Sequence, residues 1–174
     1  MFAIDYSDKQ LLINELTLLN KETSQQSLTL MQKQKSHQRC MLCGPNAPLG
    51  LKLNFYSDPN QQVWSHFKSS IHQQGYEEIL HGGFLSALLD SSMCQAIFNQ
   101  HIEAVTADMN IRFLHEVKVN SHILMTAKVL PSRRPLYKLE GGLYVDGILM
   151  VKSTARFMLK GFGVNKSTDN HPSE

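Results

Sequence analysis

The chain is poor in cysteine, carries little charge of either sign and has no long apolar run, and each shortage excludes something. Three cysteines, an odd number, do not make a disulfide framework and fit a reducing compartment. Seventeen basic residues against fifteen acidic ones leave a formal net charge of +2. Only Arg133-Arg134 stand together as a basic pair, so the stripe of a nucleic-acid binder is missing and no nucleic-acid partner is expected. The apolar runs are far too short to span a bilayer, so no membrane association is expected. The opening MFAIDYSDKQ has two acids and no basic stretch, which does not read as a secretory signal. A soluble, cytoplasmic protein is the expectation.

What is present suffices for one core: 174 residues, 42% of them hydrophobic. Residues 1–39 read as a peripheral helical leader, with apolar positions at Leu11, Leu12, Leu16, Leu19, Leu28 and Met31. Residues 40–160 form the main domain, and 161–174 a polar C-terminal tail. The main domain opens with a turn-rich CMLCGPNAPLG. Alternation then predicts strands over 51–56 and from Val63, joined by SDPNQ. A long helix follows over roughly 82–100, then four strands over 103–115, 121–132, 135–145 and 148–159. The Asp146-Gly147 pair predicts a tight hairpin between the last two. One helix cannot cover six strands unless the sheet curls around it. The fold class is therefore α+β, an antiparallel sheet around a central helix.

The candidate site lies in ILHGGFLSALLD, residues 79–90. On a helical wheel Asp90 shares its side with Gly83, Ser86, Ala87, Met93, Cys94 and Ile97, which are small or apolar residues. An acid among them needs a bonding partner or a function. Gly82 and Gly83 let backbone approach a ligand, and the free N–H groups at a helix start suit an oxygen that gains negative charge. Gly82 and Asp90 are about 12 Å apart along one helix axis. If both act on one bond, one of them comes from a second subunit, so the geometry predicts a dimer with symmetric sites.

HGGFLSALLD resembles the H-G-G-x(4)-L-x-D signature of PaaI-type acyl-CoA thioesterases, in the 4-hydroxybenzoyl-CoA thioesterase superfamily. CMLCGPNAPLGLKLNF resembles the Cys-x-x-Cys-Gly leader of one bacterial branch, and AVTADMNIRFLHEVKV resembles the strand that follows the helix. The resemblance covers about residues 40–160. It implies a hotdog fold, a homodimer or a dimer of dimers, and hydrolysis of an acyl-CoA thioester to free acid and CoA. It implies Asp90 as general base or nucleophile and the Gly82 N–H as the donor to the thioester carbonyl, with Gly83 beside it. It further implies that His81 shapes the loop and that Thr106 helps to hold the water. No cofactor is expected, coenzyme A entering only as part of the substrate. The pattern departs where relatives carry Asn and this chain has Gly75, with Gln74 as a substitute. It departs again at His115-Glu116-Val117 and at Asn120-Ser121. Arg112, Arg133 and Arg134 are candidates for the coenzyme A phosphates. A non-catalytic acyl-CoA-binding protein and a hydroxyacyl dehydratase are the alternatives.

His37, Cys40 and Cys43 form an H-x(2)-C-x(2)-C run with zinc-type spacing, but the sequence offers no second pair near it. No metal is expected there, only a turn with two reduced thiols. Cys94, with no histidine close in sequence, reads as a core residue.

Overall fold

The structure is a computed structural model that describes residues 6–19 and 27–162. Helix α1 spans Tyr6–Leu18 and α2 spans Gly82–Asn99. The strands are β1 (Thr29–Leu30), β2 (Tyr56–Ser57), β3 (Val63–Lys68), β4 (Ala104–Phe113), β5 (His122–Arg133), β6 (Leu136–Val145) and β7 (Ile148–Leu159). They form one seven-stranded sheet in the order β1-β2-β3-β5-β6-β7-β4. Every neighbouring pair is antiparallel. Helix α2 meets every strand from β3 to β7, which it can do only because the sheet curls around it. This is the α+β architecture that the element order predicts.

Helix α2 starts on His81, whose Nδ1 accepts the Gly83 N–H at 2.9 Å and so caps the first turn. It ends where Gln100 bonds back and His101 takes a positive φ of 57°. Leu85, Leu88, Leu89, Met93, Ala96 and Ile97 are buried against the concave face of the sheet, with Leu139, Leu143, Val151 and Phe157 opposite. Each such large apolar side chain contributes about 1.5–3 kcal/mol on burial. The β6–β7 hairpin turns on Asp146 and Gly147, both at positive φ, as the Asp-Gly pair predicts.

Three local expectations change. The expected strand over 51–56 is a strand only at Tyr56–Ser57. Leu53 and Phe55 do bury, but the backbone N–H groups of Leu51 and Leu53 bond to Met41 and Leu42, in the turn before it, instead of to a sheet neighbour. Lys52 has a positive φ of 54°, which no strand tolerates. The sheet therefore has seven strands and not six, the added one being Thr29–Leu30. The loop expected over 71–78 includes a short 3-10 turn, Ile71–Gln73, capped by Ser70.

The leader, unplaced by its own residues, packs on the sheet. Leu12 and Leu16 of α1 join Leu28, Tyr56, Trp64 and Leu124 in a second cluster on the outer face of the sheet. That is why β3 is buried on both faces at Val63, Trp64 and Ser65. Of the polar tail, residues from 163 onward lie outside the described residues.

Candidate active site

Asp90 stands midway along α2, and its carboxylate Oδ1 accepts the Thr106 hydroxyl at 2.6 Å. A break in β4 makes this contact. Thr106 pairs with Phe157, and Asp108 with the next residue, Arg156, so Ala107 is an extra residue in the ladder. Partners in an antiparallel ladder share a face. Thr106 therefore faces inward with the buried Phe157, and Asp108 faces outward, where it pairs with Arg156 at 2.5 Å. Strict alternation would have put Thr106 and Asp108 on one side. The bulge re-aims the hydroxyl at the helix.

The stripe around Asp90 is graded. Met93 and Ile97 are fully buried, Ser86, Ala87 and Cys94 half-buried, and Gly83 exposed. Asp90 itself is half-buried, at the margin between core and open face, so it is less enclosed than the wheel suggests. Gln95, Ser91 and Ser92 are buried polar residues on the same helix, and Ser92 is satisfied by the Leu88 carbonyl at 2.8 Å.

At the N-terminus of α2 the Gly83 N–H is taken by His81, while the Gly82 N–H has no partner among the described residues. Gly82 borders an open cleft of about 260 Å³ with Leu80, Leu85, Phe113 and Val117 along its walls. His115 and Glu116, the departures after β4, also line this cleft. Asn120 takes a positive φ of 64°, a conformation asparagine tolerates.

The loop before α2 is folded back on it. The His81 N–H bonds to the Gln73 carbonyl at 2.8 Å, and the Gly75 N–H to the Ile79 carbonyl at 2.8 Å. A Cβ at Gly75 would stand 3.0 Å from His81 Cα, so the close approach of these two segments depends on glycine. The Gln74 side chain accepts the Glu78 N–H at 3.0 Å and is engaged within the loop.

The arginines lie elsewhere. Arg112, opposite Lys152 in the ladder, lines a larger cavity of about 440 Å³ with Lys128, Lys152 and Thr154. That cavity opens on the outward face of the sheet and includes neither Asp90, Thr106 nor Gly82. The smaller cleft holds Gly82 among apolar walls, and Asp90 with Thr106 lies outside its lining, farther along α2. Arg133 and Arg134 sit at the β5–β6 turn, where the Arg134 Nε donates to the Tyr137 hydroxyl at 3.2 Å.

Cys94 is not the isolated core thiol that the sequence suggests: its Sγ is 4.0 Å from His37 Nε2. The fold brings His37, 57 positions away, to the helix, which no local spacing could reveal. Burial, with the nearby charges of Asp90, Cys43, Cys40 and Glu103, pushes the Cys94 thiol up to about 12. Burial and Cys40 push Cys43 up to about 12 as well. For Cys40 burial also raises the pKa, but hydrogen bonds from the backbone at Cys43, Leu42 and Gly44 outweigh it and hold this thiol below its usual range.

The comparisons agree with this architecture. The sequence model of the thioesterase superfamily matches residues 77–145, from the loop before α2 to the end of β6. No curated protein sequence matches the chain significantly. Among solved structures, a thioesterase superfamily protein superposes with a TM-score of 0.63 at 21% identity, over 66% of this chain and 60% of its own. This chain therefore spans less than two thirds of that relative. A Streptococcus mutans protein bound to acetyl CoA superposes with a TM-score of 0.59 at 17% identity, over 63% of this chain and 89% of its own. A mutant of the phenylacetic acid degradation protein PaaI from Thermus thermophilus does so with a TM-score of 0.54 at 17% identity, over 57% and 85%. The chain has the hotdog fold, and the segment that matches the thioesterase-superfamily model holds both the HGG turn and Asp90. Among the described residues, no helix is long and apolar enough to cross a membrane.

Proposed function

We propose that the protein is an acyl-CoA thioesterase that works as a dimer, hydrolysing an acyl-CoA to free acid and coenzyme A. The observation that carries the reading is the Thr106–Asp90 hydrogen bond of 2.6 Å at the open margin of α2. It orients one carboxylate oxygen and leaves the other to accept a proton from water. The water oxygen attacks the thioester carbonyl while its proton passes to Asp90. Negative charge grows on the carbonyl oxygen and is met by the Gly82 N–H of the second subunit, at the positive end of its helix. The carbon–sulfur bond then breaks, and the coenzyme A thiolate takes up a proton. His81 holds the turn, with its Nδ1 on the Gly83 N–H. Apolar acyl groups fit the cleft beside Leu85 and Phe113.

Strand β4 supplies a surface for the dimer. It is an edge strand among the described residues, and Val105 and Phe113 on it and Leu114 just after it are exposed. Such an edge is a ready template for a second copy. Arg112, Arg133 and Arg134 are proposed for the phosphates, and a relative bound to acetyl CoA supports the choice of thioester. No cofactor takes part in this scheme, and reduced thiols with an acyl-CoA substrate suit the cytoplasm.

A binding protein without turnover is the second reading. Gly75, packed on His81, leaves that side of the carbonyl without a side-chain donor. Release of free thiol from a panel of short, long and aromatic acyl-CoAs separates the readings. Saturable binding with no thiol release, or an enoyl product instead of free acid, overturns the hydrolase.

A further inference from the structure

A second chemical cluster lies beside α2 and does not depend on thioester chemistry. The 3-10 turn Lys35–His37 and the Cys40–Gly44 turn bring His37, Cys40 and Cys43 together, one ligand atom of each lying within 4.8 Å of the others. His37 Nδ1 is 3.6 Å from Cys43 Sγ, and its Nε2 is 4.0 Å from Cys94 Sγ. We propose that His37, Cys40, Cys43 and Cys94 bind a single thiophilic divalent cation, of the zinc class, that fastens the chain before β2 to the central helix.

The sequence alone left this site one ligand short; the fold supplies the fourth from the helix. Tetrahedral zinc, with bonds of about 2.0–2.1 Å to nitrogen and 2.3 Å to sulfur, sets its ligand atoms about 3.5–3.8 Å apart. Closing His37, Cys40 and Cys43, whose ligand atoms lie within 4.8 Å of one another, onto one ion takes up to about 1 Å of side-chain movement, with the imidazole turning so that one ring nitrogen serves the ion and Cys94, 4.0 Å from His37 Nε2, moving in from the helix.

Three further features fit thiolates held by a metal. The Gly44 N–H closes the turn on the Cys40 carbonyl at 2.9 Å, and the Gln95 amide donates to Cys43 Sγ at 3.3 Å. The Gln95 amide is the kind of outer partner that orients metal-bound sulfur. The turn also requires glycine at its close: a Cβ at Gly44 would stand 2.4 Å from the Cys40 nitrogen and 2.7 Å from its carbonyl oxygen. Finally, three thiolates and one neutral imidazole around a divalent ion carry one net negative charge. The half-buried Lys33 ammonium, which interacts with both Cys40 and Cys43 and bonds to the Leu53 carbonyl, balances it. Phe98 meets the His37 ring edge-on, with centroids 4.8 Å apart at 87°.

The test is a titration of the reduced, chelator-treated full chain with Co²⁺, followed by displacement with Zn²⁺. One equivalent should give thiolate-to-cobalt charge transfer and the d–d bands of a tetrahedral site, and Zn²⁺ should erase them and raise the melting temperature. Cys43→Ser should abolish the bands, and Cys94→Ser should weaken binding at least tenfold and change their shape. A chain that takes up neither ion at micromolar concentrations overturns the site. A Cys94→Ser protein with the wild-type spectrum and affinity overturns the assignment of the fourth ligand. Should the variants not fold, the metal content of the purified wild-type chain and the reactivity of its thiols before and after chelation decide. Thiols equally reactive in both states contradict the proposal.

Discussion

The Thr106 hydroxyl donates to Asp90 Oδ1 at 2.6 Å, across the boundary between sheet and helix. The contact exists because Ala107 is extra in the β4 ladder and turns Thr106 inward. In the proposed hydrolysis this bond holds the base in line with its water. A hydrogen bond to a charged group is worth about 1.5–3 kcal/mol. Thr106→Ala should therefore lower kcat about 10- to 100-fold, with KM nearly unchanged, while Thr106→Ser keeps most of the activity. Equal activity in Thr106→Ala would remove Thr106 from the mechanism.

Gly82 is the first helical position of α2, and His81 before it is extended, at φ −64° and ψ 127°. Both conditions accept proline at 82, which removes the N–H without breaking the helix. A Cβ there meets only the Phe113 ring, at 3.4 Å. Gly82→Pro should lower kcat by about 10²- to 10³-fold while the circular dichroism stays native. Gly82→Ala, which keeps the donor, is the control and should lose far less.

The two-subunit site makes a further prediction. Asp90→Asn and Gly82→Pro chains are each inactive alone, but a mixed dimer holds one site with both native groups. Random mixing gives half mixed dimers, each with one of its two sites intact, so activity should return to about a quarter of wild type. Recovery measured after denaturation and refolding of the mixture checks it. No recovery, in a mixture shown to contain mixed dimers, contradicts the shared site.

His122 lies between His66, whose ring stacks on it at 5.1 Å, and Lys68, whose Nζ is 2.9 Å from its Nε2. Burial, then the Lys68 charge, lowers the His122 pKa, with Asp146 opposing. The unfolded chain therefore binds more protons than the folded one between the folded pKa and the ordinary value of 6.5. Stability should rise with pH through that window, be complete above it, and be lost as the pH falls. Melting curves from pH 5 to 8 should show a smaller pH dependence in His122→Gln than in wild type. Parallel curves would refute the assignment.

Much of this was legible in the residues. The alternation of β4 to β7, the Asp-Gly turn and the run from Gly82 to Asn99 are local patterns, and local patterns survive folding. The HGG turn and Asp90 were legible for the same reason. What escaped depends on contacts between distant segments. The bulge at Ala107 is a property of the β4–β7 register, which neither strand states alone. Residues 51–55 alternate like a strand, yet their backbone bonds to the Cys40 turn and to Met31. Cys94 has no chemical neighbour in sequence and acquires His37 only when the leader crosses the helix.

In the proposed hydrolysis everything turns on Asp90 activating water for thioester cleavage. The most direct measurement is initial-rate thiol release from the best acyl-CoA of a panel, by wild type beside Asp90→Asn. Wild type should turn over, and the variant should lose at least about 10²-fold with acyl-CoA binding retained. Full hydrolysis by Asp90→Asn would contradict that role.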